Sequence, residues 1–338
     1  MLTTPLCRRL GIEAPVCSVG FGTGAGPELA AAVSEAGGLG VLGGTALREL
    51  LGPVIDRTRE RTAKPIGVNL ILHEDQRPTA EVALARGVEV IVLFWGDPAP
   101  IVELAAGTAF VIVQVGSVEE ARRAVDAGVD AVIAQGVESG GHVIGTTALS
   151  VLVPAIVDAI SPVPVLASGG IADGRGLAAA LVLGAQAVSL GTRFVASDEA
   201  FIDEQYKQRV VAETDTVYST DLFDGGWADA PHRVLRNAVV REWEASGKSR
   251  EGEPIGKLDS IRGGQIDIPR YAAFMTTPSF HGDVDEAPLW AGQSVALVRD
   301  IRSAGEIVRT IVAEAEAALY SATTYSNDAQ QSSANSPS

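Results

Sequence analysis

One repeated pattern limits the folds open to this chain more than any other feature. A short β-branched run, a turn rich in Gly or Asp and a helical stretch rich in Ala and Leu recur down to about residue 195. Helical segments such as Pro27–Ala36, Ser117–Ala127 and Gly174–Leu183 separate the runs, and each ends near a Gly able to cap a helix. The eight runs are Pro15–Gly20, Leu39–Gly44, Ile66–Ile71, Val88–Trp95, Phe110–Gly116, Ala131–Gly136, Val163–Gly170 and Ala187–Phe194.

This alternation predicts an α/β fold in which each strand returns parallel to the one before. An open doubly wound sheet and a closed eight-stranded barrel both obey the alternation. Eight similar units without a lone edge strand favour closure. We therefore expect a (β/α)8 TIM barrel built from residues 1–197 and 290–320.

The pattern stops between the eighth run and the end of the chain. Residues 198–289 are more charged and contain Trp227 and Trp243, which we interpret as a mainly helical insertion or lid after strand eight. An amphipathic stretch of about Ser294–Leu319 is predicted to form the last barrel helix. Residues 321–338 are Ser, Asn, Gln and Ala with little apolar content, which predicts a disordered tail.

Composition narrows the partners and the compartment. A formal net charge of −16 provides no basic surface for a polynucleotide, so we expect no nucleic-acid partner. Cys7 and Cys17 are the only cysteines, which argues against a disulfide framework or a zinc site and predicts no metal. No signal-peptide core and no membrane-spanning apolar segment are visible, so a cytoplasmic protein without membrane contact is expected.

Glycines at the ends of the seventh and eighth runs predict a phosphate site. Gly169 and Gly170 lie in ASGGIADG at the end of the seventh run, and Gly191 and Thr192 lie near the end of the eighth. In a barrel these loops are neighbours, and glycines there let backbone N–H groups approach a phosphate. One glycine pair alone is more often a tight turn, but the two together favour phosphate binding.

The loop after the sixth run carries a candidate catalytic histidine. In AQGVESGGH, Gln135 can bond a heterocycle, Gly140 and its neighbour admit a flat ring, and His142 can titrate near neutrality. A lone histidine in a loop is usually an ordinary residue, but the glycine-rich setting favours a functional one. Asn69 and Gln114 are polar residues in apolar strands, where a structural bond to the next strand is as good an explanation as a ligand contact.

Taken together, these segments resemble the nitronate monooxygenase family, formerly called 2-nitropropane dioxygenases. The resemblance runs from Ile12 to about Ile311 and is specific as a set. The matching stretches are LAAAVSEAGGLGVLGG, PIGVNL, AQGVESGGHVIG, PVLASGGIADGRGLAAALVLGAQAVSLGTRF and APLWAGQS.

The resemblance implies a TIM barrel with one non-covalent FMN and a specific set of site residues. His142 matches the catalytic histidine, which acts as a general base or orients the nitronate while electrons pass through FMN to O2. The implied substrates are nitronates or nitroalkanes, and the products are a carbonyl compound and nitrite. The implied flavin contacts are Ser18, Val19, Gly20, Asn69, Gln114, Gln135, Gly140, Gly169, Gly170, Gly191 and Thr192.

One departure concerns the first loop, where family members commonly carry Pro-Met or another bulky residue. This chain has Cys17-Ser18-Val19-Gly20-Phe21-Gly22 instead, which leaves the size of the substrate open. Phe94 and Trp95 are candidates for the apolar wall of the pocket. Tyr271, Phe274 and Trp290 are candidates for substrate preference, whereas His73, His232 and His281 are interpreted as structural or surface residues.

Two other functions compete with this one. An FMN-dependent NAD(P)H reductase, of the enoyl-acyl-carrier-protein or quinone type, shares the Gly-Gly-His loop and the phosphate loops. A flavin-free barrel such as a sugar-phosphate isomerase would use the phosphate loops alone, and it has no need of AQGVESGGH beside them. Asp173 is interpreted as a helix N-cap, and Arg193 as either a phosphate partner or an ordinary ion-pair residue.

Overall fold

The computed structural model describes residues 2–45, 48–223, 227, 230–247, 249, 251–260 and 263–334. The strands are β1 (Val16–Ser18), β2 (Gly40–Gly43), β3 (Ile66–Ile71), β4 (Val90–Phe94), β5 (Phe110–Val115), β6 (Ala131–Gln135), β7 (Gly141–His142), β8 (Val165–Ser168), β9 (Ala187–Leu190), β10 (Thr216–Ser219), β11 (His232–Leu235), β12 (Gly256–Asp259), β13 (Gln265–Ile268) and β14 (Phe280–Gly282). The α-helices are α1 (Pro5–Leu10), α2 (Pro27–Glu35), α3 (Leu51–Arg59), α4 (Arg77–Ala85), α5 (Ala99–Ala105), α6 (Val118–Asp126), α7 (Leu149–Ile160), α8 (Gly174–Val182), α9 (Thr192–Val195), α10 (Glu204–Ala212), α11 (Ala238–Ala245) and α12 (Ala304–Ala334).

Eight parallel strands form the central sheet, in the order β1-β9-β8-β6-β5-β4-β3-β2. The two end strands meet through a parallel bridge between Cys17 and Leu39. Leu39 N–H donates to the carbonyl of Val16 at 2.9 Å, and Ser18 N–H donates to that of Leu39 at 3.0 Å. The sheet thereby closes on itself, and the predicted (β/α)8 barrel is confirmed.

Two apolar layers hold the barrel together. Side chains that point outward from the strands pack under the surrounding helices, and α12 lies against α8 and α2 to complete the ring. Side chains that point inward fill the barrel, including Val90, Ile112 and Leu166. Leu6 and Leu10 of α1 join that inner layer and cover the amino-terminal end. The carboxyl-terminal end is therefore the open end, where barrel enzymes place their sites.

Local signals set the helix starts. The hydroxyl of Ser117 accepts a bond from Glu120 N–H at 3.2 Å at the start of α6. The carboxylate of Asp173 accepts from the N–H groups of Arg175 and Gly176 at the start of α8. Both side chains satisfy amides that lack an intrahelical acceptor, and Asp173 is the predicted N-cap.

The structure corrects the prediction of a mainly helical insertion over 198–289. The described part of that stretch holds two α-helices, α10 and α11, and five short strands, β10 to β14. The strands form two small antiparallel sheets, β10-β11-β7 and β13-β12-β14. Polar or charged residues alternate with apolar ones in β12 and β13. This period of two is typical of strands, whereas the composition of the segment shows only that it is charged. The assignment of 198–289 as a separate unit stays a prediction.

The end of the chain also differs from the expectation. A 3-10 helix at Gln293–Leu297 precedes α12, which begins at Ala304 rather than near Ser294. In the segment 321–338, predicted to be disordered, the structure continues α12 to Ala334, and residues 335–338 lie outside the described residues. Ala, Ser and Gln extend an existing helix at little cost, although such a segment alone is too polar to fold.

Candidate active site

A cavity at the carboxyl ends of the strands gathers five of the predicted flavin contacts. Ser18, Val19, Gly20, Asn69 and Gln114 line it together, over an apolar floor that includes Ile112, Ile133 and Leu166. These residues come from β1, β3 and β5 and from the loop after β1, so closure of the barrel brings them together. The lining of the cavity combines polar side chains with apolar ones, as the lining of ligand pockets commonly does.

Two of these polar side chains also make structural bonds. Asn69 Nδ2 donates to the carbonyl of Val92 on β4 at 3.2 Å. Ser18 Oγ accepts from Val41 N–H on β2 at 3.0 Å. Both side chains are therefore fixed in direction by the neighbouring strand, so the structural interpretation of Asn69 holds alongside the predicted ligand contact.

The loops after β8 and β9 offer unpaired backbone donors. Gly169 and Gly170 have φ values of +103° and +71°, a region that favours glycine. A Cβ on Gly169 would lie 2.3 Å from Ser139 Oγ. Within the described part of the chain, the N–H groups of Gly170 and Thr192 meet no acceptor. Free amides beside glycines are typical of a phosphate cradle.

Other donors near this cradle are already satisfied. Gly174 N–H at the start of α8 donates to Glu314 Oε2 at 2.9 Å, so this amide is not free for a ligand. Arg193 is buried and pairs with Asp300 at 3.2 Å, which identifies it as an ion-pair residue. Thr192 Oγ1 accepts from Gly292 N–H at 3.0 Å and thereby ties the segment before α12 to the cradle.

Gln135 bridges two backbone groups on either side of Val143, the residue after the histidine. Its Nε2 donates to the carbonyl of His142 at 2.8 Å, and its Oε1 accepts from Ile144 N–H at 2.9 Å. Gly140 lies on the same loop, against Ala291 and Gly292, where a Cβ would approach the backbone to 2.4 Å. The loop after β6 is therefore clamped between β6 and the segment before α12.

The insertion also holds the backbone at His142 in place. Strand β11 pairs antiparallel with β7, which sets His232 opposite His142. Val143 N–H donates to the carbonyl of Pro231 at 2.7 Å. The histidine backbone thus lies between the barrel and the insertion, an arrangement that the sequence alone did not predict.

The imidazole of His142 is enclosed by aromatic rings. Its ring centroid lies 4.5 Å from that of Trp227, 5.7 Å from Trp290 and 6.1 Å from Trp95. Nε2 is buried and has no hydrogen-bond partner in the described part of the chain. Burial, with smaller contributions from His232 and His73, lowers the pKa of His142 to about 4. The ring is therefore neutral at physiological pH.

The other candidate residues divide between the site and the scaffold. His232 Nε2 accepts from Phe223 N–H at 3.1 Å and Nδ1 contacts the carbonyl of Ala230 at 3.1 Å, so its ring is held as a neutral structural group. His73 stacks on Trp227 at 4.8 Å, nearer to the site than expected. Exposed His281 instead bonds Asp259 at 2.8 Å.

Of the three aromatic residues proposed for substrate preference, only Trp290 contacts His142. Phe274 packs on Phe280, with ring centroids 5.2 Å apart, and Tyr271 lies buried near Phe223. Nothing in the sequence alone places Trp227 here, because its position depends on how the insertion folds back. A place for Trp290 at the site was easier to predict, since it lies in the APLWAGQS motif.

Two other kinds of feature are absent from the described part of the chain. Among the described residues, no helix combines the length and apolar character needed to cross a bilayer. Over the same residues, no group of three or more His, Cys, Asp or Glu side chains is arranged to hold a metal ion. Cys7 and Cys17 are buried free thiols, and burial raises the pKa of Cys17.

Comparison with known sequences gives one family and several full-length relatives. The model of the family described as nitronate monooxygenase matches residues 3–81 and 76–314. A (3aS,4S,5R,7aS)-5-hydroxy-7a-methyl-1-oxo-octahydro-1H-indene-4-carboxyl-CoA dehydrogenase of Mycobacterium tuberculosis is 32% identical over 93% of this chain and 96% of its own. A probable nitronate monooxygenase of Staphylococcus saprophyticus is 31% identical over 93% of this chain and 98% of its own.

Solved structures give the same barrel. FabK from Thermotoga maritima superposes with a TM-score of 0.80 at 36% identity and covers 96% of this chain and 100% of its own. A nitroalkane oxidase from Streptomyces ansochromogenes superposes with a TM-score of 0.74 at 27% identity, covering 91% of this chain and 98% of its own. The likeness extends over the barrel and the insertion alike.

Proposed function

Because the chain belongs to the nitronate monooxygenase family of oxidoreductases, we propose that it is an FMN-dependent enzyme that oxidises alkyl nitronates and nitroalkanes with O2. The products of that reaction are a carbonyl compound and nitrite. The observation that carries the proposal is the neutral His142, whose Nε2 is unpaired in an aromatic pocket at the open end of the barrel. The likeness to a nitroalkane oxidase supports it.

The residues present fit FMN. The glycine loops at Gly169, Gly170 and Gly191, with the free N–H groups of Gly170 and Thr192, would hold the phosphate. Ser18, Val19, Gly20, Asn69 and Gln114 would surround the ring in the cavity, with Gln135 and Gly140 at its edge. When bound, FMN accepts electrons from the substrate and transfers them to O2.

His142 has the properties of a proton acceptor in this pocket. As a neutral ring with the hydrogen on Nδ1, it presents the Nε2 lone pair to a bound molecule. Nε2 would accept the proton from the carbon next to the nitro group, which leaves an imidazolium beside a nitronate. The enclosing tryptophans exclude water, so the ion pair that forms is strengthened.

The cofactor assignment is tested with one glycine and a matched control. Gly169→Ala places a methyl group against Ser139 and forces a positive φ on Ala, so we expect FMN to bind at least about tenfold more weakly. Gly107→Ala also has a positive φ, of +73°, but open space around it, so it should lose only about 1 kcal/mol of stability and keep its FMN affinity. Equal FMN affinity in the two variants would contradict the cradle.

The alternative function is an NAD(P)H-dependent reductase on the same barrel. The similarity to a carboxyl-CoA dehydrogenase and to FabK supports this alternative. Anaerobic mixing separates the two functions: a nitroalkane or nitronate alone should bleach the flavin within seconds. Rapid bleaching by NADH or NADPH, with none by nitro compounds, supports the reductase. A purified protein without flavin absorbance that binds no added FMN would refute both.

A further inference from the structure

Three of the four tryptophans of the chain meet around one histidine. Trp95 follows β4, Trp227 belongs to the insertion and Trp290 precedes the 3-10 helix at Gln293, yet all three rings lie within 6.1 Å of the His142 ring by centroid distance. The fourth, Trp243, is 3% exposed in the core of the insertion. Three separate segments therefore contribute the same kind of side chain to one place.

The three rings are half-buried, and their surroundings fix at least two of them. Trp95 has φ of +61°, which a residue with a Cβ rarely adopts, and its ring packs edge-on against Phe94. Trp290 Nε1 donates to the carbonyl of Phe274 at 2.8 Å. A conformation of this kind persists only where the fold imposes it, and it is common at ligand sites.

Four rings surround the imidazole of His142. Its aromatic neighbours among the described residues are Trp95, Trp227, Trp290 and His232. Trp227 lies at 4.5 Å from the imidazole with an interplanar angle of 40°. The side chains around the imidazole therefore offer aromatic surface to a bound molecule.

We infer that Trp95, Trp227 and Trp290 form an aromatic slot next to His142, and that the preferred substrate carries a planar ring beside its acidic carbon. The substrate class rests on the proposed function, since the acidic carbon is the one that His142 deprotonates. Offset and edge-on contacts with three indoles favour such a ring over a short alkyl chain. A small nitroalkane leaves most of the indole surface uncovered.

Substrate competition tests the slot through turnover. The wild-type enzyme should oxidise phenylnitromethane with a kcat/KM at least about tenfold above that for nitroethane, each corrected for its own ionisation. Trp95→Leu and Trp290→Leu should each lower this ratio about three- to tenfold. Trp243→Phe, in the insertion core, should leave the ratio unchanged. No ring preference in the wild type, or a ratio unaffected by both slot variants, would overturn the inference.

Binding of an unreactive ring tests the slot without turnover. In Trp243→Phe every remaining tryptophan belongs to the slot. The tryptophan emission of this variant should change saturably with phenylacetamide, and propionamide should bind at least about tenfold more weakly. Adding Trp290→Leu should weaken the response. Saturable phenylacetamide binding without any nitro-compound oxidation supports the slot and refutes the proposed function. Oxidation of nitro compounds with no ring preference and no saturable phenylacetamide binding refutes the slot and supports the proposed function.

Discussion

At the scale of single residues, the chemistry depends on where His142 is buried. Among the described residues its Nε2 has no hydrogen-bond partner, and burial, with smaller contributions from His232 and His73, lowers the pKa to about 4. A histidine exposed on a loop would titrate near 6.5 and be partly charged at neutral pH. Burial thus keeps the ring in the form that accepts a proton.

Replacing His142 should separate proton transfer from oxidation. His142→Asn is expected to retain FMN but to lower kcat/KM for neutral nitroalkanes about 10²-fold or more, the usual contribution of a general base. Preformed nitronates need no deprotonation, so their oxidation should fall less. Parallel assays with both substrate forms and a flavin spectrum measure this, and unchanged nitroalkane turnover would remove His142 from the role.

The lowered pKa also predicts an acid sensitivity. Between about pH 6.5 and pH 4 the unfolded chain binds a proton at His142 that the folded chain does not, so stability falls as pH falls through this range. The loss amounts to at most about 3 kcal/mol. His142→Asn should therefore lose less stability than the wild type between pH 7 and pH 4 in urea titrations. Equal losses in the two proteins would show that His142 titrates normally.

At the scale of elements, two neighbours position the loop after β6. Gln135 on β6 holds the backbone on both sides of Val143, and β11 pairs with β7 from the insertion. Gln135, which is predicted to contact the flavin, therefore uses both ends of its side-chain amide to bond the loop that carries His142. Its flavin contact stays a prediction, whereas its part in positioning His142 follows from the bonds.

A pair of glutamine variants tests this positioning. Gln135→Leu leaves the His142 carbonyl and the Ile144 N–H unpaired, which should cost about 2–3 kcal/mol and lower kcat about tenfold or more. Gln186→Leu removes a comparable bond, to Leu6 N–H at 2.9 Å, at the opposite end of the barrel. It should lose stability and keep its kcat. Denaturant midpoints and steady-state rates compare them, and similar kcat values in both variants would exclude the positioning role.

At the scale of the whole molecule, stability and chemistry lie at opposite ends of the barrel. The helix α1 covers the amino-terminal end, and the candidate site lies where the strands end. Because the strands between them are rigid and well packed, each end tolerates changes at the other. The closing bridge between Cys17 and Leu39 lies at the base of the cavity and belongs to the inner layer.

Truncating the cover of the barrel should affect only stability. Leu6 is fully buried, so Leu6→Ala should cost about 2–5 kcal/mol and lower the Tm. With the variant fully folded at the assay temperature, kcat/KM should stay within about twofold of the wild type. Calorimetry and kinetics on the same preparation check this, and a large fall in kcat/KM would mean that the two ends are coupled.

The barrel could be predicted from the sequence alone. Strand and helix periodicity act locally, and eight units leave closure as the arrangement without edges. Residues at strand ends such as Ser18 and Asn69 therefore line one cavity. The secondary structure of the insertion, the start of α12 at Ala304 and the aromatic neighbours of His142 depend on tertiary contacts. Trp95, Trp227 and Trp290 are far apart in sequence, and only long-range packing of β11 on β7 and of the last loop on the barrel brings their rings to one imidazole. That packing also sets the pKa of His142, because burial is a property of the folded chain.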